Sequence, residues 1–390
     1  MRARANHAEL PASPTLASGA YFVAILFGFI ALLAAASNFA NPRGNDFISF
    51  WAAGKLVLEG NAAGAYDTAV HGQMEASGVP GYKATNPFPY PPPFLIAVAP
   101  FAAFPPPFAQ LVWTGLTGLL FWLAIRRWVP MRLFLSHPPS LITAIVGQSS
   151  FLTGALIAGG MRFVSTRPWL SGAILGATVI KPQLALLVPV ALAAGGYWRA
   201  LVAAAASAIA LLALALLLFG IAPFEGFLTL LPFYSEAMEA AKWPWVKFGS
   251  LYALMRQAGA PSGLALAVHA VPALLAAIVT FVAWRRDAPA KIPILLTGCL
   301  LVSPYILTYD LALLVVATAW LARSQRMTVA VVMVWTLLAL PLLSYVDVPN
   351  VPASAALGAM LALALLVRSD PTFWKKAAMV PRDGIEPPTP

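Results

Sequence analysis

Long apolar blocks separated by short polar connections run through the 390-residue chain, and the blocks are rich in alanine and leucine with no alternation of period two. Blocks of that kind read as membrane helices, because every backbone polar group is then satisfied within its own segment; a β-barrel pattern is missing. The expected spans are 20–40, 94–105, 107–125, 150–164, 168–181, 183–197, 200–220, 264–284, 291–304, 309–322, 327–345 and 354–367. Together they predict an all-α fold, a polytopic integral membrane helical bundle of about twelve transmembrane helices. Residues 1–19 and 368–390 are expected to be cytoplasmic tails around a membrane domain at 20–367, the second tail disordered for its proline-rich, polar end. The 20–40 block is longer than a cleavable signal's apolar core and is expected to be retained as the first span.

Proline punctuates the pattern. Pro105, Pro106 and Pro107 predict a turn between the second and third spans, and Pro182 predicts a break after Lys181. A broken helix inside a membrane is tolerated where its freed backbone groups line a cavity, so Lys181–Pro182 is expected in a site wall.

Two segments do not fit the apolar rhythm and are expected as outer loops, 41–93 and 221–263. Within the first, Phe47–Glu59 has near-helical spacing, with Phe47, Phe50, Trp51, Leu56 and Leu58 apolar; it predicts an interfacial helix with aromatics at headgroup depth. The second carries Trp243, Trp245, Phe248 and Tyr252, another interfacial aromatic set.

Composition sharpens this reading. The chain is 60% hydrophobic and 10% charged with a mean hydropathy of +0.80, which excludes an ordinary soluble domain. Its net charge of +10 is scattered over short loops, which fits cytoplasmic connections and anionic membrane lipid rather than nucleic acid. With both termini inside, the cytoplasmic connections carry Arg162 and Arg167, Arg199, Arg285 with Arg286 and Lys291, and Arg323 with Arg326. Arg126, Arg127 and Arg132 then fall on the outer side: either Leu133–Val146 belongs to another span, or these arginines face lipid phosphates. The single cysteine, Cys299, excludes a disulfide framework within the chain.

The first outer loop holds Asp46, Glu59, Asp67 and Glu75, four of the chain's 14 acids. Asp46, the first acid after the first span, has two readings: a general base for an acceptor hydroxyl, or the N-cap of the following helix. Gly147–Gln148 offers a donor and an acceptor for sugar hydroxyls, or a small-polar helix contact, with His137 just upstream. Lys181, deep in apolar sequence, faces an anion such as phosphate or snorkels to the interface. Asp310, after Tyr305 and Tyr309 in a proline-containing turn, caps a helix, contacts a sugar or orients Lys181. No phosphate-cradling glycine loop, metal-spaced His/Cys cluster or Asp-x-Asp pair occurs, so no cofactor and no metal is expected.

Taken in order, Asn45-Asp46-Phe47, Phe50-Trp51-Ala52-Ala53-Gly54, Leu58-Glu59-Gly60, Ala65-Tyr66-Asp67 and Phe88-Pro89-Tyr90-Pro91-Pro92-Pro93-Phe94 resemble the bacterial glycosyltransferase family 87. The Pro100–Pro105 turn, Gly147-Gln148, Gly172 to Gly176 with Ile180-Lys181-Pro182, Trp198-Arg199 and Ser303-Pro304 continue the pattern, so the resemblance covers roughly 20–345. That family includes polyprenol-phosphate-mannose-dependent mannosyltransferases. The resemblance implies a GT-C fold in the bacterial inner membrane, an active site open to the periplasm, a polyprenyl-phosphate sugar donor and a lipid or glycan acceptor. It implies inverting displacement with Asp46 as base, Lys181 and Arg126 or Arg127 on the phosphate, and Gln148, Tyr90, His137, Tyr309 and Asp310 as substrate contacts. Rival readings are a transporter or flippase for a lipid-linked or small sugar, and a non-catalytic assembly subunit.

Overall fold

The computed structural model describes residues 46–79, 82, 86–239, 247–323, 328–341 and 352–370. The expected first span, both tails, and Trp243 and Trp245 lie outside the described residues. Among those described the fold is all-helical, with a single isolated antiparallel bridge between Phe248 and Leu307.

The segment expected as the first outer loop opens with α1 (Phe47–Leu58), followed by a 3-10 turn at Ala62–Tyr66 and α2 (Thr68–Gly78). Asp67 starts α2 firmly, its carboxylate accepting from the Ala69 and Val70 amides at 2.9 and 3.0 Å. Next come α3 (Pro93–Val98), a 3-10 turn at Ala99–Ala103, and α4 (Pro106–Ile125), with prolines in the first turn of each helix. The chain continues through α5 (Met131–Ser136), α6 (Pro138–Val146), α7 (Ser150–Arg162) and α8 (Pro168–Gly176). Two 3-10 turns, Ala177–Ile180 and Pro182–Leu184, flank Lys181 before α9 (Leu187–Ala194). Then follow α10 (Trp198–Phe219), α11 (Ala222–Glu239), α12 (Leu251–Gln257), α13 (Ser262–Arg285) and α14 (Lys291–Val302). A 3-10 turn at Thr308–Leu314 leads into α15 (Val315–Ala322), and α16 (Thr328–Ala339) and α17 (Pro352–Ser369) complete the described chain.

Among the described residues three helices, α4, α10 and α13, are long and apolar enough to cross a membrane, at 20, 22 and 24 residues. Shorter apolar helices fill the rest of the bundle, the lengths that proline, glycine and the 3-10 turns impose. Close approach is bought by small residues: a Cβ on Gly172 or Gly176 of α8 would sit 2.3–2.4 Å from the Ala200 or Ala204 carbonyl of α10.

Two expectations about organisation are corrected. The segment 94–105 does not carry the chain across the bundle. It stays beside α1, where the Trp51 indole donates to the Phe104 carbonyl at 2.9 Å. The run 131–146 makes the traverse instead, as α5 and α6, from the arginines after α4 to Gln148. Accordingly Arg127 lies within electrostatic reach of Arg162 and Arg323, at the end expected to be cytoplasmic, not opposite them.

The third correction concerns α1, which does not lay its aromatics on a surface. Phe47, Phe50, Trp51 and Leu56 are all buried, as are Ala52 and Ala53, whereas Leu58 is exposed. Phe50 is the hub of an aromatic cluster, meeting the edges of Tyr90, Phe94 and Trp113 at 5.2, 5.0 and 5.8 Å. This aromatic core holds the segment from α1 to α3 against α4; a separate, mostly aliphatic core joins α4, α7, α9 and α13–α17.

Candidate active site

Asp46 sits at the entry to α1 with a helical backbone, φ −57° and ψ −24°, and its side chain makes no cap hydrogen bond. The capping reading of this residue therefore fails. Instead Oδ2 accepts from Gln148 Nε2 at 3.0 Å, and Oδ1 faces Lys247 Nζ at 3.9 Å. The carboxylate keeps 18% of its surface, enough to meet a small hydroxyl.

Gly147 makes this meeting possible. It ends α6 in the left-handed region, φ +68°, and a Cβ there would lie 2.7 Å from Phe47 Cβ. Chain reversal at Gly147 aims Gln148 at Asp46 and starts α7 immediately afterwards.

Gln148 links Asp46 to a buried tyrosine: its Oε1 accepts from Tyr90 Oη at 2.9 Å, which leaves its amide nitrogen to donate to Asp46. Tyr90 Oη also lies 2.9 Å from Ser149 Oγ, and the Tyr90 carbonyl accepts from Tyr66 Oη at 2.9 Å. Burial, above all, holds the Tyr90 phenol above its ordinary pKa, against the pull of Lys181 and Ser149, so the phenol remains a donor.

Lys181 does not snorkel. Only 3% exposed, it contacts Asp310 Oδ1 at 2.6 Å, and Asp310 is 1% exposed. The remaining carboxylate capacity is filled by Ser150 Oγ at 2.6 Å and by the Leu307 amide on Oδ2 at 3.2 Å. Two rings wall the ammonium, Tyr309 at 5.0 Å and Tyr90 at 5.8 Å. Asp310 therefore both closes its local turn and orients Lys181. The Tyr309 carbonyl accepts from Thr143 Oγ1 at 2.8 Å, fixing that turn to α6.

The segment at 247–250 completes the wall. Gly249 N donates to the Ile306 carbonyl at 2.9 Å and Ser250 Oγ to the Pro304 carbonyl at 2.5 Å, which docks Lys247 next to Asp46. Lys247, Ser149 and Ser150 escape sequence reading. A single lysine among interfacial aromatics and a serine pair after Gln148 carry no spacing signal.

Asp46, Gln148, Tyr90, Lys181, Tyr309 and Asp310 thus form one connected site. Arg126, Arg127 and His137 do not belong to it. Arg126 and Arg127 are exposed just beyond α4, with Arg127 stacked on Trp128 at 4.6 Å. Arg162 binds the Leu123 carbonyl and Arg323 the Trp128 carbonyl, each at 3.3 Å, so these cations cluster where α7 ends, whereas the site lies where α7 begins. His137 is buried at the opposite end of α6 from Gln148, near Ser140 Oγ at 3.3 Å and against Trp335.

A partly exposed acid, a cation at hydrogen-bond range of a second, buried acid, and an amide bridging to a phenol are groups suited to moving a proton and holding an anion at a bundle end. A family model described as Glycosyltransferase family 87 matches residues 88–304, more than half of the 390-residue chain. The chain belongs to that family, and its general activity is that of a glycosyltransferase. The matched range contains Tyr90, Gln148, Lys181 and Lys247; Asp46, Tyr309 and Asp310 lie outside it. No curated protein and no solved structure matches the chain.

Proposed function

We propose that this glycosyltransferase moves a hexose or pentose from a polyprenyl-phosphate sugar to a lipid or glycan acceptor. In this reading the protein is a GT-C-type bundle of about twelve spans in the inner membrane, its site facing the periplasm. The observation that carries it is the uncapped Asp46 carboxylate, partly exposed and held by Gln148, beside a half-exposed lysine.

The acceptor hydroxyl gives its proton to Asp46 and attacks the anomeric carbon. A new C–O bond forms as the bond to the donor phosphate breaks, with inversion, and polyprenyl phosphate leaves carrying the electron pair. Held by cations, that leaving group needs no proton. Lys247 is the cation a donor phosphate meets first, since it already stands beside Asp46 and 43% of its side chain is exposed. Lys181 reaches a phosphate only by exchanging Asp310 for it; until then the pair holds Tyr90 and Tyr309 in the wall. Gln148 keeps Asp46 aimed, and Tyr90 keeps Gln148 aimed.

Purified protein incubated with radiolabelled polyprenyl-phosphate hexoses and a membrane lipid extract tests this reading. A labelled lipid or glycan product is expected. A set of donors that all fail, alongside transfer from a soluble nucleotide sugar, contradicts it.

A further inference from the structure

A second buried polar network lies behind the site and takes no part in the transfer just described. His71 and Glu75 stand one turn apart on α2 with 1% and 0% of their side-chain surface exposed, and His71 Nε2 is 3.7 Å from Glu75 Oε1. His71 Nε2 also lies 3.1 Å from Ser49 Oγ, one turn along α1 from Asp46. The Glu75 carboxyl accepts the Asn86 amide on both oxygens, at 2.9 and 3.3 Å, and Asn86 Nδ2 donates to Tyr82 Oη at 2.6 Å. Asn86 begins the proline-rich strap that ends at Tyr90, and Phe88 within the strap packs 6.3 Å from the His71 ring.

Two polar ties thus leave one helix, one to the helix that carries Asp46 and one to the strap that carries Tyr90. Those two residues are the ones that Gln148 bridges. Ser49, His71 and Glu75 are all buried, where polar side chains are kept by their partners, and the ties they make fix a distance between two segments. We propose that His71 and Glu75 are positioning residues of the transfer site, setting α1 and the 86–90 strap in the register at which Asp46 and Tyr90 meet Gln148. This rests on the assignment of Asp46 as the base.

The electrostatics agree with a tie made of neutral groups. Burial lowers the His71 pKa to about 4, the Asn86 backbone acting the other way. Burial likewise raises Glu75 to about 8, opposed by the Asn86 amide and assisted by the charge of Asp46. Among the described residues, the groups facing Glu75 are His71 on its own helix, Asn86 and Tyr82 from the following segment, and Asp46 from α1, with no lysine or arginine beside them. Near neutral pH both His71 and Glu75 are therefore uncharged, and above pH 8 a buried carboxylate appears under α1.

Full-length protein in lipid nanodiscs, with its pH–rate profile and hydrogen exchange measured together, tests the proposal. Glu75→Leu and His71→Leu fill space but cut the ties, and a displacement of about 1 Å at the reacting groups costs on the order of 10²-fold in kcat with donor KM little changed. Glu75→Gln keeps a neutral acceptor, so its kcat at pH 7 stays close to the parent's while the parent's fall above pH 8 disappears. Hydrogen exchange reads the register without any turnover: residues 46–50 and 86–90 both lose protection in the leucine variants and keep it in Glu75→Gln. Parent-like kcat per folded molecule in Glu75→Leu, or loss of protection confined to α2, overturns the positioning role. Absence of transfer by the parent itself counts against the donor reading alone, because the exchange pattern still decides the register.

Discussion

Removing the charge at Lys181 is expected to cost stability as well as activity. The ammonium and the Asp310 carboxylate are 3% and 1% exposed and 2.6 Å apart, so neither can recover water when its partner is deleted. Breaking such a buried pair from one side costs about 3–5 kcal/mol. The two single variants are not equivalent. In Lys181→Met the carboxylate retains Ser150 Oγ and the Leu307 amide. In Asp310→Asn the ammonium keeps the amide oxygen and two rings at 5.0 and 5.8 Å, contacts worth on the order of 2 kcal/mol or less each. Asp310→Asn is therefore placed at the upper end of that range and Lys181→Met at the lower. The double variant Lys181→Met/Asp310→Asn removes both charges and is expected to recover most of the loss, a coupling of about 2 kcal/mol or more across a double-mutant cycle. Denaturant unfolding in mild detergent, followed by tryptophan fluorescence, measures all four corners. Additive single losses, or a Lys181→Met protein within about 0.5 kcal/mol of the parent as for a surface change, refute the buried-pair account.

Three further outcomes are expected. Gly147→Ala forces a Cβ into the left-handed region at a cost of about 1–2 kcal/mol and pushes α1 off Gln148, so transfer falls, whereas Gly118→Ala, whose Cβ would meet Phe151 at 3.4 Å, is tolerated; equal activity of the two contradicts the role given to the reversal. Lys247→Gln changes stability by less than about 1 kcal/mol, because the pair with Asp46 is long and half exposed, yet raises donor KM; an unchanged KM removes Lys247 from the phosphate site. In a Cys299→Ala background, an impermeant thiol reagent on intact cells labels Ser77→Cys and spares Ser165→Cys, since Arg162 and Arg167 flank the latter; the reverse pattern inverts the topology.

The parts of the site legible in the sequence are polar residues set within or just beside apolar runs. Lys181 after an apolar run and Asp46 at the start of the outer segment stand out on those grounds, and Pro182 announces the break that turns Lys181 inward. Gln148 stands out in the sequence because its amide offers both a donor and an acceptor at the head of an apolar run. What was hidden depends on tertiary packing. Apolar spacing in Phe47–Leu58 is the same for a helix on a membrane surface and one buried under Phe88, Tyr90 and Phe94, and the aromatic core decides for burial. Arg126 and Arg127 fall on the side of the site only if 94–105 is a crossing. Once that segment folds back along α1 they move to the other end of the bundle. His71 and Glu75 carry no motif, because their partners, Ser49 and Asn86, come from segments on either side of α2.

In the proposed transfer Asp46 takes the acceptor's proton. Its side chain caps nothing, so Asp46→Asn has no cap to lose, and the asparagine amide preserves size beside Gln148 and Lys247. The measurement is single-turnover transfer from a polyprenyl-phosphate hexose by parent and Asp46→Asn proteins of matched thermal stability. A fall in kcat on the order of 10²–10⁴-fold, the range for losing a general base, is the predicted result. Transfer at close to the parent rate by a well-folded Asp46→Asn protein contradicts it.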